Sequence, residues 1–466
     1  MCGAITNFAI SSPQTPVHLT HRSTLHFGRG AASHEAAPFS LARKAFPQRD
    51  VGGSESVRYT DAPNFRRSIR TSGRERSIST ARTNNQGVIV VGGSAAGLFT
   101  SALLARRGMP VRVFERDETL EPSERTLIVT HRMRSILGRA AESSVLNEIH
   151  RFELFTDGRA ATIALKDPDL IIERRRLIQD LAEEARKAGA RVELGRRFHA
   201  LHANGNGLAV EVEHCADSRR EEVRAQTVIG GDGATSRVAR AAGWEPLETV
   251  PLVQAIVPLP KDMAADTVRV WFVPQDTPYF YWLIPESATR GALGVIGESG
   301  PETKRRLEQF LEKRKLDALE FQGARIPVYR RWIPVRRQLG SGSVYLVGDA
   351  AAQVKVSTVG GIVTGFRGAL GVADAILNGG SSRELRTLRR ELDFHLLLRR
   401  ALHRFEQSDY SYLVDLLNDP AKRSLGECSR DDAWKLLWRV CLRQPRLVLL
   451  GLRGLLMRSK SIKPHA

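Results

Sequence analysis

The sequence predicts an α/β protein in which a doubly wound, mainly parallel sheet carries an inserted antiparallel sheet and ends in a helical region. Three observations predict it. A β-α-β unit of about 30 residues begins at Gly87. Short β-like runs follow one another between residues 250 and 297. Helical periodicity returns at residue 361 and fills most of the remaining chain.

Composition limits what such a chain can be. Of 466 residues, 42% are hydrophobic and 26% charged, which suits a globular protein with a sizeable core and excludes a wholly disordered or collagen-like one. No apolar run reaches the roughly 18 residues that a membrane span needs. Cys2, Cys215, Cys428 and Cys441 stand in neither a disulfide framework nor a metal-ligand spacing, so no metal is expected and a reducing, cytoplasmic compartment is. The net charge of +19 lies about two thirds in residues 1–85 and 431–466. No nucleic-acid-binding motif accompanies it, so no nucleic acid is expected as a partner, and solubility or attraction to a membrane surface is the plainer reading.

Residues 1–85 are rich in Ser, Thr, Gly, Pro and Arg without a sustained period, and are expected to be disordered. Their Arg enrichment with few acids also suits an organelle targeting extension, and a wrongly assigned start codon explains them equally well. Val88-Ile89-Val90-Val91 then reads as a strand covered on both faces. Gly92-Gly93-Ser94-Ala95-Ala96-Gly97 breaks it, residues 98–107 read as a helix closed by Gly108, and residues 111–115 as a second strand. Helical spacing returns at residues 174–188, with Leu177, Ile178, Leu181, Ala182 and Ala185 on one face. Strands are expected at 192–194, 208–212 and 223–229, the last leading into Gly230-Gly231-Asp232-Gly233. Those at 253–257, 268–273, 280–284 and 293–296 suggest an antiparallel sheet forming a second domain. A strand at 343–347 precedes Gly348-Asp349, and helices are expected at 361–377 and from 383 towards 417.

The first turn approximates the G-x-G-x-x-G pattern, with Gly92 and Gly97 at the outer glycines and Ser94 at the middle one. Ser is small enough for the backbone to approach a pyrophosphate. The helix opening at Ala95 and Ala96 offers free N–H groups and a positive dipole end to that anion. Glu115, 18 residues beyond Gly97, ends the second strand where a carboxylate can accept from an adenosine ribose. A Rossmann-like nucleotide site follows.

Two further segments carry a family resemblance. Val228-Ile229-Gly230-Gly231-Asp232-Gly233-Ala234-Thr235-Ser236-Arg237 is similar to the G-x-D-G-x-x-S-x-V-R stretch of flavoproteins with the aromatic-hydroxylase fold. Gly348-Asp349-Ala350-Ala351, then Val356-Ser357-Thr358-Val359-Gly360-Gly361-Ile362, resembles their GDAA followed by P-x-T-G-G-G-I. With the first turn, these resemble most the geranylgeranyl reductase family of FAD-dependent oxidoreductases, over residues 87–377. The resemblance implies bound FAD, with Asp232 near it, Asp349 accepting from a ribityl hydroxyl, and the backbone of Gly360, Gly361 and Ile362 facing the flavin pyrimidine at a helix N-terminus. Arg174, Phe198 and Thr126 match further cofactor-proximal positions, Thr126 standing where many reductases of the family have Cys. A surface Arg, a core Phe and a turn Thr read these three equally well.

Phe280-Tyr281-Trp282-Leu283-Ile284-Pro285, with Gly294 beyond, resembles the family's Y-x-W-x-F-P stretch. Alternation puts Phe280, Trp282 and Ile284 on one face, which the resemblance implies lines an apolar cavity for a prenyl or other lipid-like substrate, and Tyr281 on the other. An ordinary sheet core accounts for the same pattern. The chain departs from the family at Phe280, Ile284, Ile296, Val356 and the missing Cys.

The implied activity is reduction of carbon–carbon double bonds by hydride from reduced flavin, with NADPH, NADH or another reductant as electron donor. Tyr281 is the candidate proton donor, and His199, His202 and His214 are expected to be surface or core residues. An FAD monooxygenase or halogenase is the alternative, since Trp282-Leu283-Ile284-Pro285 partly matches the halogenase W-x-W-x-I-P. A flavin- and lipid-binding protein without turnover is another. The basic amphipathic tail reads either as a segment lying on a bilayer, giving peripheral membrane contact, or as a helix pair packed on the body.

The expected organisation is thus an extension at 1–85, an FAD-binding domain at 86–245 and 340–380, and a substrate domain at 246–339. A helical region at 381–430 and a basic amphipathic tail at 431–466 complete it.

Overall fold

A computed structural model describes residues 87–456. The expected extension at 1–85 and the last basic residues of the tail lie outside them.

Val88–Val91 is buried along its whole length because it is central in a six-stranded sheet. It pairs in parallel with Val111–Phe114 on one side and with Thr227–Gly230 on the other. Gly342–Leu346 and Arg191–Glu193 extend the parallel ladder, and Arg336–Leu339 closes one edge antiparallel. Ala95–Ala105, Arg174–Lys187 and Ile362–Leu377 add their apolar faces to the core of this sheet, as does a three-stranded sheet through Leu208, Val210 and Val212.

Local chemistry shifts some boundaries. The first helix starts at Ala95 rather than at residue 98, because Ser94 is its N-cap, with Oγ accepting from the Gly97 N–H at 3.2 Å. The single strand expected at 223–229 is two. Arg220–Ala225 ends the three-stranded sheet, the Gln226 side chain donates to Ser341 O at 2.6 Å, and Thr227–Gly230 enters the parallel sheet.

The second layer is an eight-stranded sheet. Thr249–Pro258, Thr267–Trp271, Tyr281–Pro285, Arg290–Ile296 and Glu320–Pro327 come from the expected substrate domain. Thr126–Val129, Val145–Thr156 and Arg159–Glu173 come from the stretch assigned above to the FAD-binding domain, so the layer draws on both sides of the expected boundary at 246. Thr267–Trp271 joins the two sets by pairing in parallel with Val145–Thr156. This long hairpin is poorly visible in sequence because register shifts at 145/147 and 149/151 interrupt the period of two that marks a half-buried strand.

The helical span expected from 383 to 417 divides into Arg383–Leu402 and Gln407–Asp415, the second capped by Glu406 and Asp409 in a reciprocal capping box. Asp419–Glu427, Ala433–Arg443 and Arg446–Leu456 follow. The final helix docks through Leu450, which joins a small core with Phe405, Tyr410 and Leu416, and through Gly454, where a Cβ would lie 2.7 Å from the Phe405 ring. No helix among the described residues is long and apolar enough to cross a membrane.

Candidate functional site

In open α/β sheets ligands bind outside the carboxyl ends of the strands, where connections diverge. Four such ends converge here. Gly92 follows the first strand, Glu115 the second, Gly231 and Asp232 follow Thr227–Gly230, and Gly348 and Asp349 come just beyond Gly342–Leu346. A groove of about 780 Å³ opens along Gly92, Ser94, Glu115, Arg174, Phe198 and Asp232.

The glycines are sterically required. Gly92 has φ +99°, and a Cβ there would stand 2.6 Å from Gly231 O. A Cβ on Gly97 would stand 2.6 Å from Gly92 O, so Gly97 lets the helix close on the turn. The Gly93 N–H donates to Glu115 Oε2 at 2.6 Å and the Asp117 N–H to Oε1 at 3.1 Å, which fixes the carboxylate at the groove wall. Phe198 is buried in the strand Arg196–Asn204 and lines the same groove.

Asp232 has a local role. Its carboxylate accepts from Ser236 Oγ at 2.5 Å and from the N–H groups of Arg237 and Val238, at 2.7 and 3.2 Å, so it caps the helix Arg237–Ala241. Burial nevertheless pushes its pKa up.

Gly348 has φ +62° and turns the chain past Ala96, whose Cβ would be 2.8 Å from one on Gly348. The 3₁₀ turn Gly348–Ala351 presents Asp349, with Oδ1 3.2 Å from the Cβ position of Gly361. Gly361 caps the helix Ile362–Leu377, whose first turn has no acidic residue, so its positive end is left for an incoming group. Burial raises the Asp349 carboxyl against the opposing pull of Arg125 and Arg174.

Arg125 escaped the sequence reading, since one charge before a short apolar run carries no motif. Burial, reinforced by the Arg174 charge, pushes it down to about 10, and its Nε is buried without a hydrogen-bond partner. Burial also lowers Arg174, the first residue of its helix. A backbone cradle that a Cβ would fill, an orphaned guanidinium nitrogen and a buried carboxylate beside a helix N-terminus together suit a dinucleotide with phosphates and hydroxyls.

Residues 357–360 form one wall of a second cavity, of about 390 Å³ and overwhelmingly apolar. Phe280, Trp282 and Ile284 line it. Trp282 stands opposite Gly294 across the sheet, where a Cβ would come within 2.4 Å of the indole, so this glycine makes room for the ring. Ile296 projects into the same space. Thr126 is buried at its edge, its hydroxyl donating to Glu286 and its carbonyl accepting from Gln254 at 3.1 Å.

Tyr281 requires a correction as candidate proton donor. It faces away from the cavity, stacks on Phe310 with ring centroids 4.0 Å apart, and directs its hydroxyl to Asp276 Oδ2 at 3.2 Å and Arg306 O at 3.3 Å. Burial and the Asp276 charge raise its pKa. The strand's pleat makes this unavoidable once Phe280 and Trp282 point into the cavity. Tyr279 and Tyr410 are the tyrosines lining it among the described residues.

Val359 is another feature the sequence hid. It occupies the first glycine position of the P-x-T-G-G-G-I pattern with φ +54°, a left-handed conformation that a β-branched side chain rarely adopts. Such strain costs about 1–3 kcal/mol, against about 0.5–1 kcal/mol for the extra freedom of glycine. Val359→Gly is therefore expected to stabilise the protein by about 1 kcal/mol, raising Tm by a few degrees. An unchanged or lower Tm would remove strain as the explanation of this loop.

The FAD binding domain family matches residues 85–379. Digeranylgeranylglycerophospholipid reductase 2 of Methanopyrus kandleri is 30% identical over 299 residues, covering 59% of this chain and 73% of that protein. Among solved structures, a geranylgeranyl bacteriochlorophyll reductase-like protein from Thermoplasma acidophilum superposes with a TM-score of 0.65 at 19% identity, over 79% of this chain and 99% of that one. The p-nitrophenol 4-monooxygenase PnpA of Pseudomonas putida superposes with 0.54 at 18% identity, over 80% and 99%. These structural likenesses extend to the fold alone, which reductases and monooxygenases share.

Proposed function

The chain belongs to the geranylgeranyl reductase family of FAD-dependent oxidoreductases, and on that premise we propose that it reduces carbon–carbon double bonds of a prenyl or other lipid-like substrate. The observation that carries this reading is the apolar cavity, which shares residues 357–360 with the turn that opens the helix Ile362–Leu377. FAD, when bound, supplies the hydride, and NADPH or NADH replenishes the electrons.

The chain's own residues bind, orient and exclude water. Gly92, Gly97, Ser94 and Glu115 hold the adenosine and pyrophosphate end, with Ala95 and Ala96 offering the helix opening, and Arg174, Phe198 and Asp232 border it. Asp349 accepts from the ribityl chain, and Gly360, Gly361 and Ile362 place a helix N-terminus where negative charge is stabilised. Phe280, Trp282 and Ile284 form a wall that offers an alkene no hydrogen bond and excludes water from the space beside it. Ile296, standing where the family pattern has glycine, narrows the passage, so this chain takes a slimmer or shorter substrate than relatives with glycine there.

The test is anaerobic. Photoreduced protein mixed with a geranylgeranyl lipid is expected to regain the oxidised flavin spectrum and yield a product heavier by hydrogen. Failure to reoxidise, alongside NADPH-dependent oxygen uptake and a hydroxylated product, would replace reduction with monooxygenation.

We infer further that substrate is delivered from a membrane surface, a reading that the helix Ala433–Arg443 supports. Leu436 on this helix lines the cavity, while Trp434, Trp438 and Leu442 form an exposed stripe four residues apart. Lys435, Arg439 and Arg443 run beside that stripe, which suits an anionic bilayer. The pair Trp438→Ala and Leu442→Ala is expected to reduce cosedimentation with phosphatidylglycerol-containing vesicles by at least about fivefold at unchanged flavin content. Undiminished sedimentation, or concentration-dependent dimerisation that the substitutions abolish, would assign the stripe elsewhere.

A further inference from the structure

Two guanidinium groups line the largely apolar cavity, Arg399 and Arg430. Their surroundings differ. Arg430 lies over the Phe152 ring at 4.7 Å and is ion-paired with Asp169. The neighbouring Lys355 is ion-paired with Asp431. Charge on that side of the cavity is thus matched within the protein.

Arg399 is not matched. It is 8% exposed, its Cζ stands 4.8 Å from the centroid of the Tyr279 ring, one Nη donates to Pro278 O, and the guanidinium also meets the Tyr410 hydroxyl, so its partners are all neutral. Its Nε, like that of Arg430, is buried without a hydrogen-bond partner, but unlike Arg430 it has no carboxylate in an ion pair with it among the described residues. Burial lowers its pKa, yet a guanidinium remains charged at neutral pH. An uncompensated buried charge is costly, and proteins retain one where a counter-charge arrives with a ligand.

We propose that Arg399 receives the anionic end, a phosphate or a carboxylate, of an otherwise apolar chain lying in the cavity. This rests on the reading of the cavity as the substrate's. The guanidinium fork matches either group, and the surrounding apolar walls strengthen the contact by excluding water. His395, one turn earlier on the same helix, meets Ser357 Oγ through Nδ1 at 2.6 Å, so Arg399 is only about 6 Å along the helix axis from the loop at 357–360.

The test compares geranylgeranyl monophosphate with geranylgeraniol, titrated into the full-length FAD-loaded protein and read by tryptophan fluorescence. Wild type is expected to bind the phosphate at least about 10-fold more tightly than the alcohol, and Arg399→Met to remove that advantage while leaving alcohol affinity within about twofold. Arg399→Lys, which keeps the charge but loses the fork, is expected to retain part of it. Flavin content and Tm verify folding, and Arg399→Gln replaces any variant that loses FAD.

Equal affinity of wild type for both ligands, or a full phosphate advantage in the Met or Gln variant, overturns the proposal. So does saturable binding of inorganic phosphate alone below about 10 mM that Arg399→Met abolishes, since the anion would then need no apolar chain. Turnover is read separately. An Arg399-dependent preference without alkene-driven flavin reoxidation would keep the anion site and remove the reductase reading, and turnover without the preference would do the reverse.

Discussion

Gly92→Ala is expected to yield a protein that cannot retain FAD. The new Cβ would stand 2.6 Å from Gly231 O and 2.8 Å from Asp232 Cα, both backbone atoms on the strand end that borders the nucleotide groove. Neither can rotate away. The left-handed backbone at φ +99° adds about 1–2 kcal/mol to an overpacking cost of about 1–3 kcal/mol. Relief would push apart the ends of the first strand and of Thr227–Gly230, which together frame the groove. The flavin-to-protein absorbance ratio of purified protein checks this, with a near-total loss expected together with a lower Tm. A yellow, stoichiometric Gly92→Ala protein would mean that the cofactor does not use this turn.

Asp431→Ala is expected to destabilise the fold by about 3–5 kcal/mol, because it leaves the buried Lys355 ammonium without its counter-charge. Thr130 loses its acceptor at the same time. Lys355 pairs through its backbone with Gly360, so the damage reaches the loop between the groove and the cavity. Chemical denaturation of single and double variants provides the measurement. Lys355→Met combined with Asp431→Ala is expected to recover much of the loss, since the unpaired charge disappears. A strictly additive double variant would deny the coupling.

The same pair predicts an acid dependence. Burial alone would raise the Asp431 carboxyl, but Lys355 and Thr130 outweigh it and hold it well below the usual carboxylate range. A depressed carboxyl contributes stability that is present above its unfolded value, near 3.9, and lost as pH falls below it. His395 acts in a higher window. Burial, reinforced by Lys355, pushes it down to about 3, so the stability linked to its neutral ring is complete above about 6.5 and fades as pH falls from there towards 3. Acid unfolding of wild type should therefore begin below neutrality and steepen below about pH 4. Asp431→Ala should lose the steeper part.

The nucleotide groove was legible because its signals are local. A glycine at φ +99°, a small residue able to cap a helix, and a carboxylate ending the next strand each follow from a few neighbouring residues. The alternation of residues 280–284 likewise assigned faces from the pleat alone, and that same alternation already set Tyr281 opposite Phe280 and Trp282. The hairpin of Val145–Thr156 and Arg159–Glu173 was not legible, because its irregular register removes the period by which strands are recognised. Arg125 and Arg399 gave no signal, since what marks them is a buried Nε with no hydrogen-bond partner among the described residues.

By itself the sequence determined the β-α-β nucleotide turn and the apolar character of one strand face, both consequences of steric and hydrophobic patterns within short stretches, while its motifs carried the family resemblance. Only the tertiary structure decided that residues 126–173 complete the second sheet, that Tyr281 is spent on Phe310 and Asp276, and that one cation in the cavity has no counter-ion among the described residues. Those outcomes depend on groups far apart in the chain meeting in a low-dielectric interior, where the nearest charge is chosen by packing rather than by sequence distance.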